Sequence, residues 1–239
     1  MDPHFVLFGT AHKIAIALAF VVPLALALVV RMSKSAALVN AVRWLFAAEL
    51  IATYILWYWL LIARGWAGVG NILPMHLCDW AAIACIVSLI RPNQRTYELA
   101  YFWALSATLQ ATLTPELALG WPDLRFVVFF AFHCGVIAAV LYMTLGMRMR
   151  PYPRSIPRVV GWTLVYGLAA GAVDWAFKVN FGFLAAKSKD PSVLDLLSPW
   201  PWYIAELVPI AFAFILILYS PFFIADLVRR NPHPSTGSG

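Results

Sequence analysis

Apolar residues run through this chain in long uninterrupted stretches, not at the three-or-four spacing of a half-buried soluble helix. The stretch from Ile14 to Val30 carries no charged or amide side chain. A hydrocarbon core of ~30 Å is crossed by about 20 helical residues rising ~1.5 Å each, so such a run reads as a membrane span. The same reading along the chain predicts an all-α polytopic membrane protein. It is a bundle of seven transmembrane helices near residues 9–30, 39–63, 73–90, 97–114, 125–147, 159–180 and 203–227. An outer-membrane barrel would instead show segments of ~10 residues in strict alternation.

The breaks between runs have local causes. Arg64-Gly65-Trp66 closes the second span. Pro74 is expected in the first turn of the third, where a missing N–H costs nothing. Arg91-Pro92-Asn93 ends the third span, Pro115 the fourth, and Trp121-Pro122-Asp123 precedes the fifth. Pro151, Pro153 and Pro157 predict an extended fifth loop. The longest loop, near 181–202, ends in Pro199-Trp200-Pro201-Trp202-Tyr203, aromatics suited to the headgroup level. Gly167-x-x-x-Gly171 would let the sixth helix approach a neighbour closely. Residues 231–239 read as a flexible tail.

Charge then orients the bundle. Arg31, Lys34, Arg43, Arg91, Arg95, Arg148, Arg150, Arg154, Arg158, Arg229 and Arg230 collect on one side, and Arg64, Arg125, Lys187 and Lys189 on the other, eleven against four. Basic loops stay in the cytoplasm, which predicts an outside N-terminus and a cytoplasmic C-terminus, in a bacterial inner membrane. The composition agrees: of 239 residues 63% are hydrophobic and 12% charged, against about a quarter charged in a soluble domain. The net charge of +6 lies in the short loops, so it gives no reason to expect nucleic acid; membrane lipids are the expected partners. Cys78, Cys85 and Cys134 lie within apolar runs and form no disulfide framework. No cleavable signal peptide, cofactor motif or nucleotide-binding glycine pattern is evident.

Ionisable groups inside a membrane are costly and point to function by default. His12, Lys13, Glu49, His76, Asp79, His133, Asp174, Lys178 and Glu206 fall within the spans, and all but Glu49 count to the outer half. Gln110 and Thr112 join them in the fourth span, so one outward-facing cavity could gather the set. Each has a plainer reading. Lys13, Lys178 and Glu206 could snorkel to the interface. Asp174 and Lys178, at i,i+4, could form a helix-face ion pair. His133 could be a satisfied core histidine or a catalytic base. His76 and Asp79 share a face at i,i+3, which suits a carboxylate-oriented base; a metal site is weakly signalled and none is expected. Cys78 lies about 200° around the helix from His76 and about 100° from Asp79, so it would have to meet a base from another helix, such as His133. Ser106, Thr108, Thr112 and Thr114 supply alternative hydroxyls.

A family resemblance follows from these residues. Leu73-Pro74-Met75-His76-Leu77-Cys78-Asp79 resembles the L-P-x-H-L-C motif of bacterial YwaF-like membrane proteins, which belong with eukaryotic transmembrane protein 164. Gln110-Ala111-Thr112-Leu113-Thr114-Pro115, Phe129-Phe130-Ala131-Phe132-His133, Asn180-Phe181-Gly182-Phe183-Leu184 and Leu197-Ser198-Pro199-Trp200-Pro201-Trp202-Tyr203 match further family segments in order. The resemblance implies a seven-helix fold and lipid acyl chemistry, since the eukaryotic member is described as a cysteine-dependent acyltransferase on ether phospholipids. It is also similar to hydrolases that use threonine and histidine, and on that pattern His133 is the catalytic histidine. The eukaryotic nucleophile directly follows the motif proline, where this chain has Met75, and a thioether cannot accept an acyl group. Two functions are therefore expected. One is a lipid acyl-ester hydrolase or acyltransferase using His133, His76, Asp79 and either Cys78 or Thr112. The other is a carrier or receptor holding a small polar or lipidic ligand through Gln110, Asp174, Lys178, Asn180 and Glu206.

Overall fold

A computed structural model describes residues 4–188 and 192–230. Lys189, used in the charge reading, and the tail at 231–239 lie outside the described residues. Within those residues the chain is all-helical, with no strand beyond a single bridge pairing of His4 with Leu119. The long helices are α1 (Thr10–Ser33), α2 (Ala36–Ala63), α3 (Leu77–Ile90), α4 (94–113), α5 (Leu124–Leu145), α6 (Ser155–Phe177) and α7 (Trp202–Arg230). Six stretches are long and apolar enough to cross a membrane: α1, α2, the segment Val69–Ile90 that ends in α3, α5, α6 and α7. Helix α4 is different. It is interrupted by a π-helical turn at Ala104–Thr108, between Gln94–Trp103 and Leu109–Leu113.

Several helix ends depart from the sequence expectation, each for a local reason. Pro74 is not in the first turn of α3. Leu73, ahead of the proline, is extended, as a residue before proline must be. The helix starts only at Leu77, where the Asp79 carboxylate accepts the His76 N–H at 3.0 Å. Asn93 caps α4 by accepting the N–H groups of Arg95 and Thr96, so that helix begins three residues early. Pro157 is not loop; it lies in the first turn of α6, where proline is tolerated. Lys178, expected inside α6, is its left-handed C-cap with φ 56°.

Helix α5 is the centre of the bundle, packed against α1, α2, α3 and α4. In the core that α3 and α5 share, several buried side chains are small: Ala81, Ala82, Ala84 and Cys85 from α3, and Ala138 and Ala139 from α5. Small side chains allow the close backbone approach on which helix association in lipid depends. Helices α6 and α7 are peripheral and expose broad apolar faces, as lipid-facing helices do. Gly167 has nothing within 4 Å of where a Cβ would stand, and Gly171 only a Leu184 methyl at 4.0 Å. The expected close helix approach at this glycine pair does not occur among the described residues.

The basic loops and the last turn of α7 meet at one end, and their polar groups pair. Glu98, 2% exposed, binds Arg158 and accepts from Gln94 at 2.9 Å. Gln94 also donates to the Arg150 carbonyl at 2.7 Å, and Arg150 pairs with Asp226. That carboxylate holds the Arg150 guanidinium above its ordinary range. Arg43 donates to the carbonyls of Leu89 and Ile90 that end α3.

Candidate functional site

At the opposite end the three-residue turn Leu73-Pro74-Met75 feeds α3, and the polar side chains of that helix's first turn face α2, α4 and α6. Asp79 is half-buried and already bonded through one oxygen to the His76 backbone. It therefore does not orient the His76 ring as the spacing suggested; its role towards that residue is to cap the helix. The Tyr54 hydroxyl from α2 lies against the Asp79 carboxylate and Tyr58, within reach of both but outside full hydrogen-bond geometry with either. On the α4 side the Cys78 thiol faces the Thr108 hydroxyl, which is buried and without a hydrogen bond. Thr108 closes the π-helical turn, a local widening that often accompanies functional sites. From α6, Tyr166 stands edge-on to Trp80 with ring centroids 5.4 Å apart, within electrostatic reach of Cys78, Asp79 and Asp174, and its hydroxyl also lacks a partner.

The imidazoles differ sharply. His133 on α5 donates its Nδ1–H to the Phe129 carbonyl at 2.9 Å, a direction fixed because a carbonyl can only accept. Its ring stacks on Phe129 at 4.0 Å. In the neutral ring Nε2 then carries a lone pair and no proton. His76 is within electrostatic reach of His133, Glu116 and Asp174, and packs edge-on against Phe181 at 5.0 Å. His12 is wholly structural. Its Nδ1 accepts the Phe8 N–H at 2.9 Å, so Nε2–H donates to the Thr112 carbonyl at 2.8 Å and ties α1 to the end of α4.

The remaining expected residues divide. Thr112 is buried and its hydroxyl donates to the Thr108 carbonyl at 2.8 Å, which leaves it a poor nucleophile. Gln110 is paired with Thr114, one turn on, at 3.1 Å. Asn180 is fully engaged in its own loop, accepting the N–H groups of Ala185 and Ala186 and donating to the Ala186 carbonyl. Glu206 accepts the backbone N–H and hydroxyl of Ser198, closing the loop before α7. Asp174 and Lys178 form no ion pair. With Lys178 turned out of the helix above Trp175, Asp174 accepts the Phe181 N–H at 2.7 Å and leaves its second oxygen buried and unpartnered. Met75 packs in an apolar cluster with Tyr166, Ala170 and Phe181, so the position of the eukaryotic cysteine lies beside the site as filler.

The structure thus brings Cys78 and Asp79 together with Tyr54, Tyr166 and Thr108, and sets His76 within electrostatic reach of His133 and Asp174; no direct contact joins Cys78 to His133 among the described residues. The two tyrosines were missed because an isolated tyrosine in an apolar run reads as membrane-interface aromatic. Their spacing carries no signal; only helix rotation brings them to Asp79. Glu49 stands apart, in a cavity of about 280 Å³ between α1, α2 and α5, with Ala15, Leu18, Phe46 and Cys134 on its walls. One Glu49 oxygen is buried and unpartnered, and it fits only because Gly135 has no side chain: a Cβ there would stand 2.5 Å from Oε2.

With this geometry in hand, comparison with known proteins gives one match. The sequence model of one family, described as the TMEM164 family, matches residues 7–219. No curated protein and no solved structure matches the chain.

Proposed function

The chain belongs to the TMEM164 family, and from that premise we propose that it is a multi-pass membrane lipid acyl-ester hydrolase or acyltransferase. All seven long helices would span a bacterial inner membrane, with the N-terminus outside and the site opening to the outer leaflet, as the positive-inside bias favours. The carrying observation is the tautomer of His133, whose Nδ1–H is tied to Phe129 while Nε2 is left as a base among aromatic rings.

Cys78 is the nucleophile this reading prefers, because the Thr112 hydroxyl is already committed to a carbonyl. His133 Nε2 takes the thiol proton as Sγ attacks the lipid ester carbonyl, and returns it to the leaving alkoxide. Water or an acceptor hydroxyl, deprotonated by the same nitrogen, then resolves the thioester. Tyr54 and Tyr166, whose hydroxyls have no hydrogen-bond partner among the described residues, would donate to the oxyanion. The same unpartnered atoms also favour a second reading, a carrier or receptor in which a ligand's polar group satisfies them.

Activity-based labelling separates the two. Purified protein in detergent with added phospholipid is treated with an alkyl iodoacetamide and a fluorophosphonate lipid probe. Iodoacetamide labelling that disappears in Cys78→Ala and falls at least tenfold in His133→Ala, with the fold intact by circular dichroism, is the expected result. Labelling indifferent to His133 would remove the acyl chemistry and leave the carrier or receptor.

A further inference from the structure

A second polar cavity opens at the same end of the bundle, away from the site above, where the end of α2 meets the start of α5. It measures about 280 Å³ and is walled by Arg64, Trp66, Asp123 and Arg125 over apolar Leu60 and Leu124. The two guanidiniums flank one indole: Cζ of Arg125 is 4.5 Å and Cζ of Arg64 5.8 Å from the Trp66 ring centroid. The Trp66 backbone is fixed, its main-chain N–H donating to the Leu61 carbonyl at 2.8 Å and its carbonyl accepting from the Asn71 side chain at 2.8 Å.

The ordinary reasons for arginines at a helix end do not account for this pair. A cation often serves the free carbonyls of a helix C-terminus. Here those of Leu60, Leu61 and Ile62 already accept the backbone N–H groups of Arg64, Gly65, Trp66 and Ala67. The Arg64 guanidinium has no hydrogen bond or ion pair among the described residues. Asp123 offsets one charge, with Oδ1 accepting both the backbone N–H of Arg125 at 2.9 Å and its Nε at 3.2 Å. Two guanidiniums against one carboxylate leave the cavity a net cation, with the Arg125 terminal nitrogens and the whole Arg64 fork free to donate. A planar fork suits a phosphate oxyanion in two-point contact. The apolar floor and the position at the ends of two membrane helices suit a phosphate that carries acyl chains.

We infer that Arg64 and Arg125, held around Trp66, form a clamp for a phosphodiester anion, and that its natural occupant is the headgroup phosphate of a phospholipid in the adjacent leaflet. This needs no acyl chemistry at Cys78 and is read by binding alone.

The test is native mass spectrometry of the full chain released from detergent, titrated with dioleoyl phosphatidylglycerol, with dioleoylglycerol, and with phosphatidylglycerol in the presence of sodium phosphate. One tight phosphatidylglycerol site is expected, weakened about tenfold or more in Arg64→Gln/Arg125→Gln, on the scale of charge-assisted hydrogen bonds. Dioleoylglycerol should not fill it. The single change Arg64→Gln removes a group with no ion pair, keeps the fold, and should give a smaller loss in the same direction. Arg31→Gln/Lys34→Gln, at the other end of the bundle, should leave the tight site unchanged. Equal affinity in all variants, or equal loss in the control pair, would overturn the clamp. Displacement by phosphate at concentrations matching the lipid would assign the site to the free anion instead of a headgroup.

Discussion

The two ends of this bundle treat polar groups in opposite ways. At the basic end the buried carboxylates and hydroxyls are matched, and the unpartnered buried atoms are Nε of Arg43 and Arg150: Glu98 holds Arg158 and Gln94, Arg150 holds Asp226, and the Tyr97 hydroxyl bonds Thr144 at 2.8 Å and the Met149 carbonyl at 3.1 Å. At the other end Tyr54, Thr108, Tyr166 and one oxygen of Asp174 are buried with no partner, and Glu49 adds another deeper in. An unmade hydrogen bond in a buried place costs about 1–3 kcal/mol per group. Folding alone gives no reason for hydroxyls and a carboxylate oxygen to be left bare at one end when those of the other are bonded. A bundle braced at its first end and receiving a ligand at its second, as proposed above, would show this contrast.

The sharpest way to break the comparison is at the matched end. Glu98→Ala leaves Arg158 and the Gln94 amide facing an emptied buried position. The Arg158 left behind is part-exposed and can be hydrated, so the loss is that of charge-assisted hydrogen bonds, about 1.5–3 kcal/mol. A large fall in the unfolding midpoint in a fixed detergent, read by circular dichroism, is expected. A change below ~1 kcal/mol would mean that this end is as loosely held as the other.

The next effect is at Glu49. Gly135→Ala pushes a methyl into the carboxyl, and forcing an extra methylene-sized group into a packed contact costs about 1–3 kcal/mol. Glu49→Ala in the same chain should remove most of that cost, so the double-mutant cycle should show a coupling of about 1 kcal/mol or more. Additive losses would show that Gly135 does not serve to seat Glu49.

At the unmatched end the sign reverses. Tyr54→Phe and Tyr166→Phe remove hydroxyls that complete no hydrogen bond among the described residues, so stability should hold or rise by up to about 1 kcal/mol. Probe labelling of Cys78, or ligand retention, should fall in the same variants. Destabilisation of both by more than that would place these hydroxyls among the structural groups, and the difference between the ends would vanish.

How much of this was legible beforehand depends on which physical signal each feature leaves. Long apolar runs made the helices readable, because a span must satisfy its backbone internally wherever it starts. Their ends were less so. Asp79 capping α3 and Lys178 leaving α6 are decided by single hydrogen bonds and one left-handed residue, which no window of hydropathy resolves. At the site, His133, Cys78, Asp79, His76 and Asp174 were marked by the cost of burying such groups. Asn180, Glu206 and Gln110 carried the same mark but are occupied by their own loops or turns. Tyr54, Tyr166 and the π-helical turn at Thr108 depend on helix rotation, which composition and spacing do not encode.

The smallest expected effect concerns the peripheral helix. Gly167 and Gly171 form a small-x-x-x-small pair of the kind that seats one helix against another, yet within the chain a Cβ at Gly167 would meet nothing within 4 Å. Gly167 is in the interior of α6, where replacing glycine by alanine removes a conformational-entropy cost of up to about 1 kcal/mol. Gly167→Ala should therefore leave the midpoint unchanged or raise it slightly, with no effect on probe labelling. That outcome would confine specific packing to α1 through α5 and leave α6 as a lipid-facing wall that contributes Tyr166 and Asp174 to the site. A clear loss of stability, matched by a change in the protein's mass in detergent by light scattering, would mean instead that this glycine face is covered by a second copy.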